Sequence, residues 1–212
     1  MNIKQKLATW ILLAALAPTL AGCLGIAAVG IGAGALMVSD RRASDTYLTD
    51  EAIELRANKA IGDKYGDKVH TNITSYNRTV LITGEVPDAA AKADIEKIVA
   101  SRPNVKATQN ELRISGLASL GGSSNDALIT SKVKARFVDY GKFSANLVKV
   151  VTEGGTVYLM GLVTHNEGDD ATQIARETSG VLGVVRLFEY ISEDEARRLD
   201  NRPADTSKAP VR

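Results

Sequence analysis

Between Asp50 and Ile191 the apolar positions recur in two modes, helical spacing and strand-like runs, and the succession of modes is itself repeated. Asp50 to Lys64 carries Ile53, Ala57, Ala60 and Ile61 on one stripe, with Gly62 and Gly66 punctuating its end, and predicts a helix. Val69 to Tyr76 and Thr79 to Val86 are β-branched runs about a turn at Asn77-Arg78. Pro87-Asp88 introduces a second helix with Ile95, Ile98 and Val99 inward, and Val105 to Ile114 closes the unit as a strand. The pattern then starts again. Asp126 falls under Asp50 and Ile129 under Ile53; with one extra residue, Val157-Tyr-Leu-Met-Gly-Leu-Val163 falls under Val80-Leu-Ile-Thr-Gly-Glu-Val86, both V-x-[I/L]-x-G-x-V. In this copy Glu153-Gly154-Gly155-Thr156 marks a hairpin, Thr164-x-x-Glu167 a capping box, and Val184 to Ile191 the last strand. A period of about 76 to 79 residues is longer than that of stacked solenoid repeats. The expected fold class is α+β: two tandem αββαβ domains, each a small mixed three-stranded sheet with two helices on one face.

Faces that the core does not need carry the candidate chemistry. In the first helix of the second copy, Ile129, Val133, Phe137 and Tyr140 form the inward stripe. At about 100° per residue, Leu128, Ser131, Lys132, Ala135, Val138 and Lys142 fall opposite. Apolar groups beside ammonium groups suit a helix dipping among acyl chains while its lysines meet phosphates; a solvated helix with two incidental aliphatics has the same pattern. The matching positions of the first copy, Ala52, Leu55, Arg56, Lys59 and Gly62, lie near Glu51 and Glu54 and suit an anionic surface less. On the strands, Leu81, Thr83 and Glu85 point away from the helices in copy one, but Tyr158, Met160 and Leu162 do so in copy two. Three large side chains on an open face call for a cover, either the first domain or its linker (116–124), with a partner protein as the rival. Gly84 and Gly161 read as fold markers over which a helix packs.

The N-terminus changes the picture. Lys4 and Lys6 precede the apolar run Leu7 to Ala17, which is shorter than the roughly 20 residues a bilayer helix needs and reads as a signal peptide, residues 1–22. Leu20-Ala21-Gly22-Cys23 resembles the lipobox of bacterial lipoproteins, so Cys23 is expected to be the acylated first residue. Several acyl chains on one residue, at about 0.8 kcal/mol per buried CH₂, anchor far more durably than one. Cys23 is the only cysteine, so no intramolecular disulfide is available. Leu24 rather than Asp after it resembles the signal for transfer to the outer membrane. Residues 23–46 then read as a lipidated, Gly-rich and polar tether, and 193–212 as a charged, disordered tail, partly helical at most. With an aromatic content of 5%, the cores must be aliphatic. Removal of Lys4 and Lys6 leaves 24 basic against 25 acidic residues, without the basic excess of a nucleic-acid binder.

Two αββαβ units with the V-x-L-x-G-x-V strand and a later Asn104-Val105 or Gly183-Val184 step, placed behind a lipobox, resemble tandem BON domains (47–115 and 125–192). The resemblance is to dual BON-domain lipoproteins of the Gram-negative outer membrane and covers roughly Asp40 to Ile191, with Asp40-Arg-Arg-x-Ser and Thr49-Asp-x-x-Ile-Glu-Leu-Arg56 in keeping. It implies a periplasm-facing protein that binds anionic phospholipid, supports outer-membrane integrity and catalyses nothing. The alternative is a lipid-tethered adaptor that docks proteins of envelope assembly or peptidoglycan remodelling. His70 and His165 occupy unmatched positions, and no metal-ligand cluster, phosphate-cradling loop or nucleophile elbow is present. No cofactor, metal, nucleic acid or small-molecule substrate is therefore expected.

Overall fold

A computed structural model of the chain describes residues 40–115 and 123–202. The signal peptide, Cys23, most of the linker and the last ten residues lie outside the described residues. The first domain runs α1 (Ser44–Tyr65), β1 (His70–Tyr76), β2 (Thr79–Val86), α2 (Ala89–Ala100), β3 (Ala107–Asn110) and β4 (Arg113–Ile114). The second runs α3 (Ser123–Tyr140), β5 (Val148–Glu153), β6 (Thr156–Val163), α4 (His165–Arg176), β7 (Gly183–Tyr190) and a further helix α5 (Glu193–Asp200). In each, an antiparallel hairpin is extended by a parallel strand on the far side of its second arm, giving sheet orders β1-β2-β3 and β5-β6-β7.

The helical stripes make the cores. Ile53, Ala57 and Ile61 of α1 pack with Ile73, Val80, Ile82 and Val86 and with Ala91, Ile95 and Val99 of α2. Ile129, Val133 and Phe137 of α3 do the same over Val150, Val157, Leu159 and Val163. Most of these side chains are fully buried, each worth about 1.5–3 kcal/mol. One carboxylate in the N-terminal half of each first helix then fixes the hairpin. Asp126 accepts the amides of Gly154 and Gly155, both at 2.8 Å. Asp50 accepts those of Asn77 (2.9 Å) and Arg78 (2.8 Å), and also the Ser75 hydroxyl. Both turns have positive φ at both central residues, 55° and 76° at the glycines but 49° and 69° at Asn77 and Arg78. Such a turn favours glycine, so the first copy depends more on its aspartate.

Four expectations need correction. The last strand of the first domain is broken: Leu112 turns into the core between β3 and β4, and its amide is taken by the Asn110 side chain. Gly84 and Gly161 are not covered by helices. A Cβ at either would strike the backbone carbonyl of the neighbouring hairpin arm, His70 or Leu147, and Gly84 also holds φ +116°. The tail is not disordered throughout, since Ser192 caps α5, acidic residues fill its first turn, and Ala196 is buried. Lastly, Asp40–Arg42 is no solvated tether. Arg41 is 4% exposed and forms a bidentate pair with Glu167 (2.6 and 2.8 Å), a second with Asp200 (2.8 and 2.9 Å), and a bond to the Leu162 carbonyl. Burial works against its charge, but the carboxylates of Asp200 and Glu167 outweigh that and raise its pKa above the ordinary value. Arg42 donates to Asp40 and Asp50 and lies 4.2 Å over the Tyr76 ring. Consecutive arginines thus grip the two domains, Arg42 the first and Arg41 the second.

The sheets themselves meet through the faces that the helices leave open. Tyr76 and Leu81 pack on Tyr158 and Met160, with Val151, Leu162, Val185 and Leu187 around them. The Tyr76 hydroxyl accepts the Leu162 amide, Lys149 reaches Glu54 and the Ser75 carbonyl, and Asn77 reaches Glu189. Burial pushes the phenol of Tyr76 up to about 12.

Candidate membrane-facing site

Of the inward stripe of α3, Ile129, Val133 and Phe137 are fully buried and Tyr140 partly so, which leaves the opposite side to solvent. Leu128 is 52% exposed and Val138 67%, and Ser131, Lys132, Ala135 and Lys142 are also exposed. Leu128, Ser131, Lys132, Ala135 and Val138 therefore share one accessible side of the helix, and Lys142 lies two residues beyond its end, after Gly141 at φ +67°. The Ser131 hydroxyl donates to the Ala127 carbonyl, so it is occupied by its own helix. Lys142 lies 5.0 Å from the centre of the Tyr140 ring, and a hydrogen bond with that tyrosine favours its charged form. Among the described residues, neither Lys132, Lys134 nor Lys142 forms an ion pair. One residue on this side escaped sequence reasoning. Asp139 is exposed and, at about 100° per residue, falls between Leu128 and Lys132 around the axis. Helical angle alone could have found it.

The corresponding side of α1 differs in charge. Leu55 is 72% exposed and Leu48 59%, so apolar groups are present. Lys59, however, is paired with Asp63 at 2.7 Å and Lys64 with Asp94 at 2.6 Å, and Glu51 is exposed beside Leu48 and Leu55. Glu54 is turned to Lys149 of the second domain.

The family model for the BON domain matches residues 49–116 and again 125–192. The chain belongs to the BON-domain family. It is a tandem-BON lipoprotein of the type represented by the outer membrane lipoprotein DolP of Haemophilus influenzae, to which it is 33% identical over 174 residues, 81% of this chain and 90% of that one. The 21 kDa hemolysin of Actinobacillus pleuropneumoniae is 29% identical over 72% of this chain and 79% of its own. A structure of CdsD, a structural protein of the type III secretion system of Chlamydia trachomatis, overlaps 74% of this chain and 98% of that one at 14% identity, with a TM-score of 0.28. The likeness to the lipoprotein supports an outer-membrane location.

Within the BON pair, Tyr158 and Met160 are 5% and 0% exposed and Leu162 is partly buried, with the first BON domain over them. Burial pushes the Tyr158 phenol up to about 12. His70 sits 3.0 Å from Glu85, which also takes Arg113 at 2.6 Å; burial opposes the Glu85 charge, but these hydrogen bonds win and hold its pKa below the ordinary value. His165 stacks on Tyr190 at 4.2 Å. A cleft of about 200 Å³ between Tyr76, Thr108 and Phe188 is smaller than the roughly 300–1,000 Å³ of ligand pockets. Among the described residues no group of three or more His, Cys, Asp or Glu could hold a metal, and no helix is long and apolar enough to cross a membrane.

Proposed function

We propose that this protein is anchored through acylated Cys23 on the periplasmic side of the outer membrane, binds anionic phospholipid through the outer side of α3, and thereby supports the integrity of the envelope. The observation that carries the proposal is the juxtaposition on α3 of exposed Leu128 and Val138 with Lys132, and with Lys142 just beyond the helix end, cations without a carboxylate partner among the described residues. Apolar side chains of this kind gain by entering the acyl boundary, and each lysine near an anionic surface adds about 1 kcal/mol. The BON fold makes such a helix available because its own core uses only one stripe. An adaptor reading that docks a partner on Tyr158, Met160 and Leu162 is weakened, because the first domain lies over them.

The test is vesicle co-sedimentation of residues 39–212, which lack the acyl anchor but retain Asp40–Arg42. Binding to vesicles containing phosphatidylglycerol, little binding to phosphatidylcholine, and a loss of about tenfold or more in affinity on Leu128→Asp are expected. Equal binding by the variant would refute the site.

A further inference from the structure

Leu182 is the most exposed large hydrophobic side chain among the described residues, at 83%. One exposed leucine means little by itself, since apolar groups scatter over every protein surface. Its position gives it meaning. Leu182 lies in the loop between α4 and β7, its amide donates to the Gly155 carbonyl at 2.8 Å, and its side chain lies across Gly155, where a Cβ would come within 2.8 Å of Cδ1. Gly155 in turn donates to Asp126, two residues before Leu128. Gly180 of the same loop rests on Ile129, where a Cβ would come within 3.1 Å of the isoleucine. Leu182, the glycine turn and the first turns of α3 therefore form one end of the second BON domain.

Charge separates this end from the other. Its carboxylates all have partners: Asp126 holds the turn amides, Glu153 takes Asn72 and lies 3.9 Å from Arg113, and Glu177 takes Arg136. Asp139, which has no ion pair among the described residues, is on the proposed face but eleven residues further on, about 16 Å along the helix. Val138 thus adjoins a carboxylate without an ion pair among the described residues, whereas Leu128 and Leu182 do not.

We propose that the membrane footprint extends beyond α3 to Leu182, and that α3 meets the bilayer obliquely, its N-terminal half deepest. Leu128 and Leu182 enter the acyl boundary together, Lys132 meets phosphates just above them, and Val138 stays shallower. The glycine turn itself is covered, Gly155 by Leu182 and Gly154 by the Arg113 guanidinium, so that Leu182 is the group this end presents. This rests on the lipid-binding function proposed above and adds a second contact and an orientation to it.

The sequence supplies a clean probe. Trp10 is its only tryptophan and precedes Cys23, so the mature chain has none. Single variants Leu128→Trp, Leu182→Trp, Val138→Trp and Leu55→Trp, each at an exposed position, would be made in the full mature lipoprotein and incorporated into vesicles of phosphatidylglycerol and phosphatidylethanolamine with brominated acyl chains. Blue-shifted, strongly quenched emission from Leu128→Trp and Leu182→Trp, weaker quenching at Val138→Trp and none at Leu55→Trp are expected. Quenching at position 128 without quenching at 182, or deeper quenching at 138 than at 128, overturns this inference and leaves the lipid-binding function standing. Absence of quenching at 128, 138 and 182 alike overturns both.

Discussion

Helices α1 and α3 are the same element twice. Each buries one apolar stripe on a sheet, each carries in its N-terminal half an aspartate that holds a hairpin turn, and each leaves at least one leucine exposed on its outer side. They differ in how their outer lysines are paired, although Arg56 beside Leu55 is, like those of α3, exposed and without an ion pair among the described residues. In the first copy the lysines are neutralised by aspartates, and the hairpin aspartate is also joined by Arg42. In the second the lysines stand without ion pairs among the described residues, and the apolar groups beside them have no acidic neighbour until Asp139. Packing fixes the inward stripe of both copies and leaves the other side free to differ, so that the first copy holds Arg42 through Asp50 while the second keeps its lysines without ion pairs among the described residues.

The largest expected effect breaks the shared device. Asp50→Ala removes the acceptor of two turn amides, Ser75 and Arg42 under a turn without glycine, and is expected to cost about 3–4 kcal/mol in urea denaturation. Asp126→Ala, under a glycine turn with fewer dependants, should cost about 1–3 kcal/mol. Equal costs would mean that the two turns are not differently strained. Next, Arg41→Ala strips the partner from Glu167 and Asp200; because Asp200 is half exposed and water replaces part of the loss, about 2 kcal/mol is expected by the same measurement. An unchanged midpoint would return Asp40–Arg42 to the status of a tether.

A smaller effect sharpens the contrast between the outer sides. Leu128→Asp should weaken binding to anionic vesicles by about tenfold, near 1.4 kcal/mol, and Leu55→Asp should leave it unchanged in the same co-sedimentation assay, although Leu55 is the more exposed of the two. The smallest effect is on pH. Glu85 and Glu167 are both held below their ordinary value of 4.5, in each case because hydrogen bonds from cationic side chains outweigh burial. Their folded forms resist protonation, so the stability they contribute is complete above that value and is lost as pH falls through the lowered pKa values. Thermal melts should be level above pH 5 in this respect and decline below 4.5, and Glu85→Gln should flatten the decline.

What could be read in the sequence was local or periodic. The stripes, the glycine hairpin, the Thr164 capping box and the repeat itself need neighbours only a few residues away, and all are formed. The pairing of open sheet faces was visible only as a problem, three large side chains in need of a cover. Arg41 was unreadable because its partners stand more than 120 residues away, and an arginine pair has the same sequence whether clamped or solvated. The turn at Asn77-Arg78 was legible but its positive φ was not, for a related reason, since the carboxylate that stabilises it belongs to another element. The outer side of α3 followed from helical angle, but Asp139 was overlooked on it, and Leu182 could join it only once the α4–β7 loop had been placed beside Ile129.

Amide NMR of residues 39–212 titrated with phosphatidylglycerol-containing bicelles tests the central claim most directly. Line broadening concentrated on residues 125–142 and 180–182, with α1 unaffected, is the predicted result. Broadening spread equally over both first helices, or confined to α1, would contradict it.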